Sequence, residues 1–305
     1  MTSDRQGSGV GRRGGAMYSK IVVPLDGSKL AEQILPFARL LAGACEIPVE
    51  LLRVHEPGSK TPYWPPLPNG DYLKHISARY LPASLRIDLT EEMGEPAALI
   101  VERAKRNPAC LIAIATHGLS GMRRWLLGSV ASKVVHGATN ALLLIRPAEG
   151  LDAGADVQLK TIFVPLDGSG LAEKILPHVA ALAKRLDLEV QIVRAFKLPP
   201  EFYMVGDGLY MPSLATQREV MEKEAATYLE GVSEKLRAVE LKRVVATAID
   251  GDPAEVIIDL AQKTPHSLIA MSTHGRSGIG RWMLGSVAEK VIQHSKNPVL
   301  LLRPE

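Results

Sequence analysis

The sequence predicts an α/β fold with two tandem domains, each built on a five-stranded parallel sheet with helices on both faces. Its 305 residues suit about two domains of ordinary size. Long stretches of the first half recur in the second half. Within each half, short apolar runs alternate with amphipathic stretches, and this alternation is typical of parallel sheets joined by helical crossovers.

Two recurring blocks define the repeat. Residues 23–36 (VPLDGSKLAEQILP) and 164–177 (VPLDGSGLAEKILP) agree at twelve of fourteen positions, at an offset of 141. Residues 116–134 and 273–291 agree at fourteen of nineteen positions, at an offset of 157. The second half therefore carries sixteen additional residues between its two blocks, and we expect them to form a longer helix there.

The boundary between the repeats is expected in residues 148–158, because AEGLDAGADVQ is small and acidic and shows no apolar periodicity. The predicted domains are accordingly residues 18–147 and 159–305. Residues 1–17 are rich in glycine and lack the apolar segment of a secretory signal. They are interpreted as a disordered leader.

Short apolar runs predict ten strands, five in each half. They are Lys20–Leu25, Val49–Val54, Leu85–Leu89, Cys110–Ala115 and Ala141–Ile145, then Ile162–Leu166, Val190–Val193, Arg243–Ile249, Ser267–Met271 and Pro298–Leu302. The fifth strand of each half is short and apolar, and an unpaired apolar edge promotes aggregation. We therefore predict that the two fifth strands pair within the chain, and a homodimer is a further possibility.

Apolar positions at helical spacing predict the intervening helices. The first opens at Ser28 and carries Leu30, Ile34 and Leu41 on one stripe. The others are predicted over Tyr72–Tyr80, Ala97–Lys105 and about Val130 to Ala138, with the long helix of the second half over Gln217–Arg237.

The composition argues against several classes of function. A net charge of +3 and an isoelectric point of about 8.8 are too mild for a nucleic-acid-binding surface. No apolar run reaches the roughly 18 residues of a membrane span. Cys45 and Cys110 fit neither a zinc site nor a disulfide framework. Two buried thiols are typical of a reducing compartment, so we expect a cytoplasmic location.

An aspartate follows the first strand of each half, Asp26 in one and Asp167 in the other. A carboxylate at the carboxyl end of a parallel strand faces the crevice where such sheets bind ligands. It could accept hydrogen bonds from a ribose hydroxyl or an adenine amine. The structural alternative is a turn former in Asp-Gly-Ser, ahead of a helix cap, and the sequence leaves both readings open.

A glycine-bearing loop follows the fourth strand of each half. Gly118 and Gly275 are each followed by nine residues and then by Gly128-Ser129 or Gly285-Ser286, which open a helix. Backbone N–H groups and the positive end of the helix dipole favour phosphate at such a position. The alternative is an ordinary turn with a capping box over residues 286–289. No P-loop is present.

These motifs together resemble the universal stress protein family in its tandem form. The resemblance rests on VPLDGS, on the Thr-His-Gly turn and on G-x9-G-S, and it covers nearly all of residues 18–305. It implies in each half a five-stranded, Rossmann-like sheet related to adenine-nucleotide-binding folds, and ATP, with Mg²⁺, as the ligand. The family's motif begins with one more glycine, and here Ala115 and Ser272 stand in its place.

The resemblance implies binding roles for residues of both halves, whereas it implies neither catalytic nor metal-ligating residues. Asp26 and Asp167 would meet the adenosine, and the backbones of Val54 and Ala195 would hold the adenine edge. The complete implied set is Pro24, Asp26, Val54, Ala115, Gly118, Gly128, Ser129 and Val130, then Pro165, Asp167, Ala195, Ser272, Gly275, Arg276, Gly285, Ser286 and Val287.

The second half is expected to bind ATP better, because the Ser272 hydroxyl could donate to a phosphate or ribose oxygen, Gly280 lets the loop close more tightly, and the long helix covers the sheet more fully. The adjacent Arg123 and Arg124 of the first half argue the other way. A Gly285→Val change is expected to block the site of the second half.

The leading function is a non-enzymatic, ATP-binding regulatory module of the stress response with an unknown protein partner. The alternatives are an interaction module with unspecific pockets and a slow ATPase. His117 and His274 are interpreted as hydrogen-bonded loop residues, since no carboxylate stands at local spacing.

Overall fold

The computed structural model describes residues 17–57, 72–118, 127–148, 150–198, 214–274 and 284–304. The leader expected at residues 1–17 lies almost wholly outside these ranges, as do residues 119–126 and 275–283 of the two glycine-bearing loops.

The described elements of the first half alternate between strand and helix, as the sequence predicts. They are β1 Lys20–Pro24, α1 Lys29–Glu32, α2 Leu35–Cys45, β2 Val49–His55, α3 Tyr72–Tyr80, β3 Ile87–Met93, α4 Pro96–Lys105, β4 Cys110–Ala115, α5 Ser129–Gly137 and β5 Ala141–Ile145.

The second half repeats this order with a much longer third helix. Its elements are β6 Thr161–Pro165, α6 Gly170–Glu173, α7 Leu176–Leu186, β7 Glu189–Phe196, α8 Leu214–Ala238, β8 Val244–Asp250, α9 Pro253–Lys263, β9 Ser267–Ser272, α10 Ser286–His294 and β10 Val299–Leu302. The sixteen additional residues thus contribute to α8, which has 25 residues against nine in α3.

All ten strands form one sheet, in the order β3-β2-β1-β4-β5-β10-β9-β6-β7-β8. Neighbours within each half are parallel, whereas β5 and β10 are antiparallel, with Leu143 opposite Leu300. The predicted pairing of the two fifth strands is confirmed. It removes an apolar edge from each half and leaves β3 and β8 as the edges of the sheet.

The helices cover the sheet on both faces, as predicted. Apolar side chains of α1–α3 and α6–α8 pack on one face, among them the buried Ile34 and Leu229. Side chains of α4, α5, α9 and α10 pack on the other, among them Ile100 and Val291. Because both faces are covered, the crevice at the carboxyl ends of the strands is the natural place for a ligand.

The first helix of each half departs from the sequence prediction. One continuous helix was expected after Ser28, but the structure has two, α1 and α2, with Ile34 as the N-cap of α2. The cause is Pro36, which has no N–H to donate to the carbonyl four residues earlier. Pro177 divides α6 from α7 in the same way. Strand β3 also begins later than expected, at Ile87 rather than Leu85.

The two halves exchange reciprocal contacts beside the β5–β10 pair. Arg146, after β5, donates to the carbonyl of Gln293 at the end of α10, at 3.0 Å. Arg303, after β10, donates to the carbonyls of His136 and Val135 at the end of α5, at 2.9 and 3.3 Å. Each arginine therefore neutralises the negative end of a helix that belongs to the other half.

Candidate functional site

A cavity of about 360 Å³ lies at the carboxyl ends of β1, β2 and β4. The strand order reverses between β1 and β4, which is where open parallel sheets bind their ligands. All the residues of the first half that the sequence singles out line this cavity: Pro24, Asp26, Val54, Ala115, Gly118, Gly128, Ser129 and Val130.

Asp26 serves the turn and faces the cavity at once. Its Oδ1 accepts a hydrogen bond from the Ser28 N–H at 2.9 Å, as expected of a turn former. Gly27, between them, has φ +90°, a conformation that glycine adopts without strain. A Cβ on Gly118 would come within 2.0 Å of the other carboxylate oxygen, Oδ2. The two readings of Asp26 are therefore compatible, and glycine at position 118 leaves room for its carboxylate.

The amino-terminal end of α5 opens onto the same cavity. Gly128 is the N-cap residue, and no side chain caps the helix. The first-turn residues Ser129, Val130 and Ala131 all line the cavity, so the end of the helix that carries unpaired N–H groups borders it. This arrangement provides donors and a positive dipole end for an anion.

The capping box that the sequence suggested for the second half is not formed. Helix α10 has Gly285 as its N-cap without a side-chain hydrogen bond, so Ser286 is already the first helical residue. Glu289 instead accepts a hydrogen bond from the side chain of Gln293, at 3.2 Å. The capping-box interpretation of residues 286–289 was therefore wrong, because Gly285 rather than Ser286 takes the N-cap position.

Gly128 and Gly285 also have a role within the chain. The Gly128 N–H donates to the Thr116 carbonyl at 2.8 Å, and Gly285 donates to Thr273 at 2.9 Å. A Cβ on Gly285 would come within 2.7 Å of that same Thr273 oxygen. A Gly285→Val variant would collide with its own backbone even without a ligand, so it cannot serve as a clean test of phosphate binding.

Strand β2 extends past the end of β1 and leaves backbone groups facing the cavity. The last β1–β2 pair joins Pro24 to Leu52, and the Leu25 N–H donates to the Leu52 carbonyl at 2.9 Å. Alternate residues of a strand direct their backbone groups to the same side. Val54, two residues beyond Leu52, therefore presents its N–H and carbonyl where β1 has ended. This geometry suits the edge of a planar, hydrogen-bonding ring.

The second half places its counterparts in the same elements. Pro165 ends β6, and Oδ1 of Asp167 accepts from the Ser169 N–H at 2.9 Å. Ala195 lies two residues beyond Val193, the partner of Pro165 in β7. Ser286 and Val287 open α10 after Gly285. Gly275 and Arg276 lie outside the described residues.

Ser272 does not direct its hydroxyl as the sequence suggested. Its Oγ donates to the Ala172 carbonyl of α6 at 3.4 Å, and only 7% of the residue is exposed. The corresponding Ala115 is equally buried, at 6%. The expected advantage of the second half rested partly on this hydroxyl, and in this structure the hydroxyl is used within the fold.

Sequence reasoning missed an Arg–Tyr–Glu cluster that recurs beside both aspartates. Arg53 of β2 lies 4.9 Å from the ring centre of Tyr72, whose hydroxyl donates to the buried Glu32 at 3.2 Å. Arg194 lies 5.0 Å from the ring of Tyr228, whose hydroxyl donates to Glu173 at 3.1 Å.

The electrostatics of this cluster reach the aspartate. Burial, reinforced by Glu32 and Asp26, raises the pKa of Tyr72 well above its usual value. The tyrosine therefore stays protonated and donates. A signal for the arginines was present in the sequence: LLRV at 51–54 and IVRA at 192–195 both place an arginine inside an apolar strand.

The loop histidines are hydrogen-bonded next to the site. Nδ1 of His117 lies 3.0 Å from the Thr116 hydroxyl, and His274 repeats the contact with Thr273 at 2.9 Å. His117 is buried and lines the cavity. These contacts agree with the interpretation of both histidines as hydrogen-bonded loop residues.

Comparison with known proteins decides the family. The model of the universal stress protein family matches residues 17–146 and again residues 158–303. The chain belongs to the universal stress protein family. It is 31% identical over 144 residues to a universal stress protein of Methanocaldococcus jannaschii, covering 47% of this chain and 82% of that protein. Identity to a universal stress protein of Mycolicibacterium smegmatis is 23% over 302 residues, covering 93% of this chain and 97% of that protein.

Solved structures share the universal stress protein fold across both halves. A universal stress protein of Archaeoglobus fulgidus matches with a TM-score of 0.62 at 18% identity, covering 93% of this chain and 98% of that one. A Pseudomonas aeruginosa protein of unknown function matches with a TM-score of 0.65 at 16% identity, covering 95% and 94%. These likenesses establish the fold. In the described part of the chain, no helix combines the length and hydropathy needed to cross a bilayer.

Proposed function

We propose that this universal stress protein binds ATP, together with Mg²⁺, and acts as a non-enzymatic regulatory module of the stress response in the cytoplasm. The observation that carries the proposal is the uncapped end of α5, which opens onto the cavity that Asp26 and Val54 also line. The corresponding residues of the second half form the second candidate site.

The dimensions and chemistry of the cavity suit a nucleotide. Its volume of about 360 Å³ falls within the ~300–1,000 Å³ of ligand pockets. Leu52, Ile100 and Ile114 supply apolar walls, while Asp26 and the Val54 backbone supply hydrogen-bonding groups for the sugar and base. The α5 end supplies N–H donors for phosphate. We expect Mg²⁺ to enter with the ATP, held mainly by phosphate oxygens and water.

The decisive test adds a negative charge where phosphate is proposed to bind. Ser129 is exposed and occupies the first turn of α5, where an acidic side chain interacts favourably with the helix dipole. Ser129→Asp should therefore leave the melting temperature unchanged or higher. It should weaken ATP binding at the first site by about tenfold or more, through repulsion of phosphate, whereas adenosine binding should stay the same.

Calorimetric titration of ATP–Mg²⁺ and of adenosine measures this difference, with Ser286→Asp as the matched change in the second half. Release of nucleotide from the purified protein by heating provides a second measurement. If neither ligand gives heat and no nucleotide is released, the chain is an interaction module instead. Phosphate release above the rate without protein would identify a slow ATPase.

A further inference from the structure

Helix α8 packs on the sheet of the second half through its carboxyl-terminal part, whereas its amino-terminal part is not buried. Its carboxyl-terminal part packs into the core through residues such as Leu229 and Leu236, both at most 3% exposed. The described side chains from 215 to 224 include no buried one. An ion pair of 3.1 Å between Arg218 and Asp250, the last residue of β8, ties this amino-terminal part to the sheet. The sixteen additional residues of the second half therefore extend α8 by an amino-terminal segment, residues 215–224, which lies outside the core.

A second cavity, with a volume of about 600 Å³, lies between α8 and the sheet of the second half. It is on the face of the sheet covered by α6, α7 and α8, opposite the face that α9 and α10 cover. The described residues that line it come from three places: Gly168 after β6, Arg194 in β7, and Val220, Lys223, Glu224, Thr227 and Tyr228 along one side of α8.

Arg194 is the unusual group in this cavity. Only 8% of the residue is exposed. Its guanidinium lies over the ring of Tyr228, and within the described residues no hydrogen bond or ion pair engages it. A buried cation without a counter-charge is costly, so this position favours an anion. Since the ring contact uses no N–H group in a hydrogen bond, the fork of guanidinium donors can bind two oxygens.

Neighbouring carboxylates do not take this role. Glu173 accepts from Tyr228 and forms an ion pair of 2.9 Å with Lys235. The carboxylate Oδ1 of Asp167 accepts from Ser169 in its own turn. Among the cavity-lining residues Arg194 and Lys223 are cationic and Glu224 is anionic, which leaves one excess positive charge.

We propose that this cavity is a second ligand site, which binds a small oxyanion through Arg194 and Lys223. The chemistry common to its ligands is a carboxylate or phosphate group that accepts two parallel hydrogen bonds from a guanidinium. The site adjoins the candidate ATP site of the second half, because Gly168 follows Asp167 and because Arg53, the counterpart of Arg194, lines the first cavity. What distinguishes it is the longer α8, since the α3 of the first half has only nine residues.

Site-resolved NMR tests this proposal with two probes, inorganic phosphate and citrate, titrated against sodium chloride of the same ionic strength. The reporters are the Val220 methyl groups and the Thr227 amide, which line the second cavity. Val130 and Ala131 report on the first cavity in the same spectra, so failure of this site and failure of ATP binding are distinguishable. We expect saturable shifts at Val220 and Thr227 that persist when ATP is present.

Three variants assign the shifts to the proposed groups. Arg194→Gln should weaken oxyanion binding by about tenfold or more, and Lys223→Gln by about threefold. Lys242→Gln, at an exposed lysine that does not line the cavity, should change nothing. If Arg194→Gln lowers the melting temperature strongly, the exposed Lys223→Glu change takes its place, with a loss of about tenfold expected.

Phosphate binding alone would mark the ligand as a phosphate compound, citrate binding alone as a carboxylate, and either result supports the site. The proposal is overturned if neither anion shifts the two reporters beyond the chloride control. It is equally overturned if the affinity is the same in the wild type and in the folded Arg194 or Lys223 variants.

Discussion

The two halves have similar crevices, but they differ at one polar position on their second strands. Both carry an aspartate in an Asp-Gly-Ser turn, an arginine over a tyrosine, and an uncapped helix after a glycine. Near the start of β2, away from the crevice, the first half buries the charged Glu50, whereas the matched residue of β7 is Gln191. The comparison teaches that the sheet requires polar groups with partners at this position rather than a particular charge.

Glu50 is the centre of a charged cluster on β2. Only 1% of the residue is exposed, and its carboxylate bonds with Lys20 at 2.5 Å, with Thr90 at 2.7 Å and with Arg103. Burial alone would raise its pKa, but the hydrogen bonds from Lys20 and Thr90 and the charges of Lys20 and Arg103 outweigh burial and lower it. In the second half, the positions of Lys20 and Arg103 are Thr161 and Leu260.

The largest effect is expected when the first half loses this charge. Glu50→Gln leaves Lys20 and Arg103 without their central partner, and it should lower the free energy of unfolding by roughly 2–3 kcal/mol. Denaturant titration at neutral pH measures the loss. The double change Glu50→Gln with Arg103→Leu recreates the pair found at Gln191 and Leu260, and should recover much of the stability.

The pH dependence of the same variant follows from the sign of the shift. The pKa of Glu50 is lower in the folded state, so its contribution is complete above the ordinary carboxyl pKa and is lost as pH falls through the folded value. Wild type and Glu50→Gln should therefore differ most near neutral pH and converge in acid. A difference that grows as the pH falls would show that Glu50 is not the stabilising anion.

A smaller effect is expected at the reciprocal contacts that join the halves. Arg146→Met and Arg303→Met each remove charged donors from the carbonyl end of a helix, and each should cost about 1–2 kcal/mol. Urea unfolding, compared with the control Arg86→Met, measures this cost, because the side chain of Arg86 is 80% exposed. If both variants behave like the Arg86 control, these arginine contacts do not stabilise the junction between the halves.

The sequence predicted the framework well because its signals are local or repeated. Strands β4 and β5 have the predicted bounds, since each is a continuous apolar run between turn residues. The pairing of β5 with β10 followed from the apolar character of two edges. The residues predicted for the first candidate site lie near the ends of strands, in the loop after β4 or at the start of a helix, where local patterns identify them.

What the sequence did not predict depends on contacts between distant residues. The ring of Tyr72 meets Arg53, and its hydroxyl meets Glu32, forty positions away. The orientation of the Ser272 hydroxyl depends on the Ala172 carbonyl, one hundred positions away. The sequence left the start of α10 undecided, because the Ser286–Glu289 spacing matches a capping box although Gly285 takes the N-cap position.

The smallest expected effect concerns the ranking of the two candidate sites. The sequence favoured the second half because Ser272 keeps a hydroxyl, but that hydroxyl donates to Ala172. Ser272→Ala should therefore lower the free energy of unfolding by about 0.5–1.5 kcal/mol, the net value of one hydrogen bond, and should change ATP affinity by less than about twofold. Ala115→Ser should bring no gain in affinity at the first site. Calorimetric titration of both variants, with melting curves alongside, separates the effect on ATP affinity from the effect on stability.

A roughly tenfold loss of ATP affinity in Ser272→Ala, with unchanged stability, would mean that the hydroxyl turns to the ligand on binding. In that case the second half would be the better site.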